Sequence, residues 1–172
     1  MNKSLTKNAL LVSIKTIFSL IMPLITFPYI TRTLQVNAIG QYNFALSIVS
    51  YFVIFAELGI TTYAIREGAK IREDKERFTN FANEIISINI ISTLIAYISL
   101  FIIVISFEKF SNYYLLIMIL SIQILLATFS KSWIYNIYEE FGIITIAQII
   151  SQLIYVCCLL TFIKTPKDIY IY

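Results

Sequence analysis

Histidine does not occur in the 172 residues, and the chain has only two cysteines, three prolines, four glycines and one tryptophan. Without histidine there is no Ser-His-Asp arrangement and no imidazole ligand for a metal. The two cysteines, Cys157 and Cys158, are neighbours. Their Cα atoms stand about 3.8 Å apart, too close for an ordinary disulfide. They fall in an apolar run and read as small buried hydrophobes, and two thiols alone do not make a zinc site. With so little glycine there is no glycine-rich phosphate loop, and few turns interrupt long regular elements. Charge is scarce too: 13% of residues are charged, against about 25% in a soluble domain. The net charge of +3 is too small to point to nucleic acid.

Apolar residues fill the space left by these absences. They make up 59% of the chain, with a mean hydropathy of +0.82. A soluble domain of this size buries only about two thirds of its chain surface, so the excess needs lipid as its solvent. Five apolar runs are long enough to cross a bilayer as helices: 9–31, 40–61, 85–107, 113–133 and 143–163. Strands of a barrel would be about 10 residues long and alternate in polarity, and these runs do neither. The first run is long and no small-residue cleavage pattern follows it, which argues against a cleavable signal peptide. The sequence thus predicts an all-α polytopic membrane protein with about five spans.

Lys and Arg in the flanks set the orientation. With the N-terminus in the cytoplasm, Lys3, Lys7, Lys15, Arg66, Lys70, Arg72, Lys75, Arg77 and Lys131 lie inside, against Arg32, Lys109, Lys164 and Lys167 outside. The inside excess rests mainly on the connector Arg66–Glu84.

Several residues stand out within this pattern. Lys15 lies about 9 Å into the first span, where it either faces a polar cavity or snorkels to the headgroups. Pro23 and Pro28 kink the same span, either as a hinge or as a fixed bend. Glu57, near the inner end of the second span, is a coupling-ion candidate or an ordinary helix-end charge. Gln148 and Gln152 share one face of the fifth span. They could line a path for sugar hydroxyls or bond between helices. Tyr113, Tyr114, Trp133, Tyr135 and Tyr138 sit at span ends and read as an interfacial belt. The connector, with Glu73 and Arg77 spaced i,i+4, reads as solvated helix.

Three segments carry a resemblance: PLITFPYITRTL (Pro23–Leu34), IGQYNFALSIVSYF (Ile39–Phe52) and LGITTYAIREGAKIRED (Leu58–Asp74). They closely resemble the N-terminal part of Wzx-type polysaccharide (O-antigen and capsule-repeat) flippases, and the opening KNALLVSIKTIFSLIMPLIT is similar too. The likeness extends over roughly residues 6–165 in family order. It weakens at KSWIYNIYEEF (Lys131–Phe141). There the family's D-x-x-W-x-F-Q-G-x-E keeps Trp133 and Glu139 but has Asn136 and Ile137 for Gln-Gly, so no site role carries over.

The resemblance implies a MATE-like transporter of two helix bundles around a cationic cavity. On that reading the chain supplies most of one bundle and lacks the C-terminal bundle, as expected of a fragment of a longer product, with a split or decayed gene as the alternative. The implied activity is not enzymatic and needs no cofactor. It is the flipping of undecaprenyl-diphosphate-linked oligosaccharide across the bacterial cytoplasmic (inner) membrane. The partners implied are the lipid-linked oligosaccharide and membrane lipids, with polysaccharide polymerase and chain-length proteins as further candidates. Lys15, Arg32 and Arg66 are the cationic candidates for the diphosphate, and Gln148 and Gln152 for the glycan. The alternatives are an organic-cation antiporter of the same superfamily, which would favour acidic cavity residues such as Glu57, and a non-catalytic subunit of a polysaccharide assembly complex. A membrane-bound glycan polymerase would need a large outer loop, and the expected outer loops are short.

Overall fold

A computed structural model describes residues 5–172, apart from the side chains of Leu5 and Lys7; Lys3, counted above for orientation, lies outside the described residues. The described residues form helices and turns without a strand, as long apolar runs require when their backbone groups must bond within one segment. Helix α1 spans Leu5–Glu57, α2 Ile60–Ile71, α3 Lys75–Ser106, α4 Tyr114–Leu120, α5 Ile122–Phe129, α6 Ser132–Ile137 and α7 Phe141–Phe162. Short 3-10 turns cover Glu108–Tyr113 and Pro166–Tyr170. Among the described residues four helical stretches are long and apolar enough to cross a membrane: Asn8–Ile71, Lys75–Ser106, Glu108–Ile137 and Phe141–Phe162.

The expected loop between the first two runs is absent; one residue breaks the helix instead. Gln35, inside α1, has φ 64° and ψ 164°, a region that only glycine enters freely and that costs other residues about 1–3 kcal/mol. Pro23 and Pro28 stay inside the helix. A second break follows α1, where Leu58 (φ 45°) and Gly59 (φ 69°) are both left-handed. Glycine adopts that conformation without Cβ strain. The stretch expected as 113–133 is three short helices, α4 to α6, parted at Ser121 and at Ser130–Lys131. α3 starts ten residues before its apolar run, at an Asp74 cap whose carboxylate accepts from the Arg77 amide at 3.1 Å. The connector is therefore mostly helix.

The chain divides into two compact units, residues 1–40 with 139–172, and residues 41–138. In the first unit α1 packs on α7. Thr145 Oγ1 donates to the Leu11 carbonyl at 3.4 Å, and Tyr29 Oη donates to the Ile163 carbonyl at 2.7 Å. Ile30, Leu34, Leu159 and Ile163 form a buried core. Residue numbers rise together across this contact, so α1 and α7 run parallel. The tail after α7 is pinned by Asp168, whose Oδ2 accepts from the amides of Lys164 (2.9 Å) and Thr165 (2.7 Å). These two backbone bonds hold its carboxyl below the usual range.

In the second unit α3 and α5 run antiparallel. Thr93 Oγ1 meets Thr128 Oγ1 at 2.6 Å, and Tyr97 Oη donates to the Ser121 carbonyl at 2.6 Å. The end of α1 joins through Ser92 Oγ, which donates to the Ala56 carbonyl at 2.6 Å. α2, the start of α3 and α6 enclose a separate core of Ala64, Ile85, Trp133 and Ile137. Trp133 is only 6% exposed and its ring stands 6.4 Å from that of Phe78. It is a core residue of this cluster, not a belt residue, because the connector helices fold over it.

Gly68 lets α2 approach α6: a Cβ there would lie 2.5 Å from Ile137 Cδ1 and 3.4 Å from Phe81 Cε1. Overpacking a buried site costs about 1–3 kcal/mol. Gly68→Ala is therefore expected to lower stability by about that much. Ile137→Val, which removes Cδ1, should recover part of the loss in the double variant, so that the two costs fall short of adding. Thermal unfolding of the four proteins in detergent measures this.

Candidate functional site

Inside an apolar helix a polar side chain is costly unless bonded, so unusual polar contacts within the spans mark candidate sites. The first unit holds one such cluster. Gln148 Nε2 donates to Ser19 Oγ at 2.6 Å, and Gln152 Nε2 donates to the same oxygen at 3.3 Å. Ser19 Oγ in turn donates to the Lys15 carbonyl at 3.0 Å. The hydroxyl thus uses its one proton and both lone pairs. Spacing i,i+4 puts both glutamines on one face of α7, and the parallel packing puts Ser19 against that face.

Pro23 lies four residues after Ser19. It has no N–H, so the Ser19 carbonyl lacks its usual helical donor. A groove of about 360 Å³ opens beside this point, lined by Ser19, Pro23, Thr26, Phe27, Gln152, Tyr155 and Tyr172 with Met22 and Ile30. Gln152 Oε1 is buried and accepts no hydrogen bond. Burial pushes the Tyr172 hydroxyl well above its ordinary range, with Tyr155 Oη contributing from 3.4 Å.

The candidates read from the sequence divide as follows. Gln148, Gln152 and Pro23 come together at Ser19 and the groove. Lys15 is half-buried one helical turn away, outside the groove lining, and its ammonium has no hydrogen bond or ion pair among the described residues. Arg32 and Pro28 are exposed, and neither lines the groove. Arg66 and Glu57 belong to the second unit. The Arg66 guanidinium is exposed and pairs with Glu67 at 2.9 Å, which Lys70 also meets at 2.8 Å. Glu57 is the half-buried last residue of α1. Cys157 and Cys158 are exposed free thiols, not buried, because α7 turns its other face to α1. Among the described residues no cluster of His, Cys, Asp and Glu could hold a metal.

Ser19 was not singled out by sequence reasoning. The signal was present, since a serine one turn before an in-span proline has a carbonyl in need of a donor. Tyr155 and Tyr172 carried no comparable signal.

The second unit has its own polar seam. Asn89 Nδ2 donates to the Thr128 carbonyl at 3.3 Å, beside the Thr93–Thr128 pair, and Asn89 Oδ1 is buried without a partner. An almost wholly apolar groove of about 490 Å³ adjoins it, with Thr93, Tyr97 and Thr128 among its lining.

Long apolar helices joined by short breaks, with a few polar seams between them, define the class: a multi-pass α-helical membrane protein. Within that class the chain belongs to the polysaccharide biosynthesis protein family, whose sequence model matches residues 5–172. It is 24% identical over 166 residues to the "Putative O-antigen transporter" of Escherichia coli (strain K12), an alignment covering 96% of this chain and 40% of that protein. The chain thus spans two fifths of that relative's length. No solved structure matches it.

The two glutamines should differ in their effect on stability. Interhelical hydrogen bonds in membranes are worth about 0.6 kcal/mol on average and up to roughly 1.7 kcal/mol. Gln148→Leu removes the shorter bond and is expected to cost about 1 kcal/mol, within that range. Gln152→Leu removes a long bond together with an unsatisfied oxygen and should be close to neutral. Denaturant titration in detergent checks the order, which a larger loss for Gln152→Leu would reverse.

Proposed function

We propose that this chain is part of a flippase that moves lipid-linked oligosaccharide across the bacterial cytoplasmic membrane during surface polysaccharide synthesis. Family membership over nearly the whole chain carries the reading. The relative's name, an O-antigen transporter, supplies the cargo class. The cargo would be undecaprenyl-diphosphate-linked, as the sequence resemblance implies. No bond is made or broken in such a reaction, so the protein's task is to bind, shield and reorient.

Five crossings from a cytoplasmic N-terminus fit this reading. The helical stretch Asn8–Ile71 is 64 residues long, a contour of roughly 95 Å at about 1.5 Å per residue, three times the hydrocarbon thickness. We assign it two crossings, with the turn at Gln35. The parallel packing of α1 on α7 supports that count by parity. Two parallel spans are separated by an odd number of crossings, and three lie between them only if the first stretch crosses twice.

Lys15 is the cation we assign to the diphosphate: it is half-buried, without an ion pair among the described residues, and one turn from the polar cluster. Arg32 stands at the far end of the same span as a second contact. Pro23 and Pro28 would let α1 bend as access alternates. A cation antiporter is less well supported, because no carboxylate lines the groove and Glu57 lies at a helix end.

Two experiments test this reading. Lys15→Ala in the chromosomal gene is expected to reduce surface glycan at least severalfold, and the double variant with Arg32→Ala to abolish it. Normal surface glycan in both removes the cationic role. For orientation, Cys157 and Cys158 are replaced by alanine and a single cysteine is placed at Glu73. That thiol is expected to resist impermeant maleimide in intact cells and to react after permeabilisation. Labelling in intact cells would reverse the topology.

A further inference from the structure

The groove beside Ser19 and Gln152 differs in chemistry from the cationic surface that a phosphate needs. No Lys, Arg, Asp or Glu lines it. Two acceptors in it stand out: the buried Oε1 of Gln152, which accepts no hydrogen bond, and the Ser19 carbonyl, which Pro23 deprives of its i+4 amide. The Ser19 hydroxyl is already fully used by Lys15, Gln148 and Gln152. Reversing the Gln152 amide would not help, since it would aim Oε1 at a hydroxyl whose proton the Lys15 carbonyl holds. Around these acceptors stand three aromatic side chains, Phe27, Tyr155 and Tyr172.

Such acceptors, with no cation beside them, disfavour an anion and ask for O–H or N–H groups. A hard cation also seeks oxygens, but it takes six or more of them, and two free acceptors do not replace its water. A sugar ring meets both halves of the lining, because its hydroxyls donate and its C–H face lies against aromatic rings. A small number of placed polar groups in an apolar, aromatic pocket is the usual build of a small-molecule site.

We propose that this groove seats one sugar ring of the cargo, with a hydroxyl donated to Gln152 Oε1 and the ring against the aromatic wall, while the phosphate binds elsewhere. The proposal rests on the transport reading for the nature of the cargo and goes beyond it in naming the subsite. Gln152 Oε1 is closed to water, so binding widens the groove around it, and Pro23, on the same wall, marks where α1 can yield.

Saturation-transfer NMR tests this on the chain in lauryldimethylamine oxide, a detergent without a sugar head. The probes are N-acetylglucosamine, galactose and rhamnose, with inorganic pyrophosphate and sodium chloride as competitors. At least one sugar is expected to receive saturation from the wild-type chain, with aromatic-proton irradiation effective. Gln152→Leu and Gln152→Asn, the latter keeping an amide but withdrawing its oxygen, should each weaken binding roughly tenfold, the worth of one buried hydrogen bond. Thr128→Val, which breaks a polar pair of the second unit, should leave it unchanged. Absence of transfer from all three sugars overturns the proposal. So does undiminished transfer in both Gln152 variants, or displacement by pyrophosphate or by sodium. The outcome separates from that of the transport reading: sugar binding can fail here while Lys15→Ala still abolishes surface glycan.

Discussion

A peptide N–H or C=O in hydrocarbon has no water to turn to, so it bonds within its own segment or costs several kcal/mol. This one demand shapes most of the chain. It explains why the described residues form helices without strands, and why the in-span hydroxyls fold back on their own helix. Thr16 Oγ1 donates to the Val12 carbonyl, Thr26 Oγ1 to Met22, Ser47 Oγ to Asn43 and Ser50 Oγ to Leu46, each four residues back. Such bonds hide a hydroxyl without committing it to a neighbour. The polar groups that do cross between helices are therefore the informative ones, and two seams bring several of them together, Ser19 with Gln148 and Gln152, and Asn89 and Thr93 with Thr128.

The same demand governs where helices break. Two prolines inside α1 do not end it, since a missing amide donor can be tolerated where other groups or a groove stand next to the freed carbonyl. The interruption comes instead at Gln35, a residue with no intrinsic preference for the backbone it adopts. Leu58 and Gly59 make the next one, and there the glycine is legible as a turn residue. Ser121 marks a lesser break, with its hydroxyl donating to the Met118 carbonyl at 2.7 Å and its carbonyl accepting from Tyr97.

Charge is handled differently inside and outside the apolar stretches. In the connector the charges neutralise one another at the surface, as Arg66, Glu67 and Lys70 do, and Arg77 meets Asp74 at 3.3 Å. Exposed pairs of this kind contribute little to stability; the connector is held by Trp133, Ile137 and the close approach at Gly68. Lys15 has no such neighbour among the described residues. The contrast between an unpaired cation and a neutral, acceptor-rich groove one turn away divides the candidate site into a charged part and a polar part.

Class and helical content were legible from composition and run length, because hydrophobic transfer is additive along the chain and needs no knowledge of neighbours. The spacing of Gln148 and Gln152 likewise placed them on one face before any fold was known. The merging of the first two runs into one helix was not legible, since 32–39 carries polar residues that read equally as loop or as helix. Nor was the burial of Trp133, whose position at a span end is that of a belt residue until α2 and α3 fold over it. The two cysteines show the limit from the other side: an apolar run says that a thiol is out of water, not whether it meets protein or lipid. Sequence by itself determined what must leave water. Tertiary structure alone decided which polar atoms meet, because Ser19 and Gln148 are 129 positions apart and only the parallel packing of α1 on α7 brings a hydroxyl within reach of an amide.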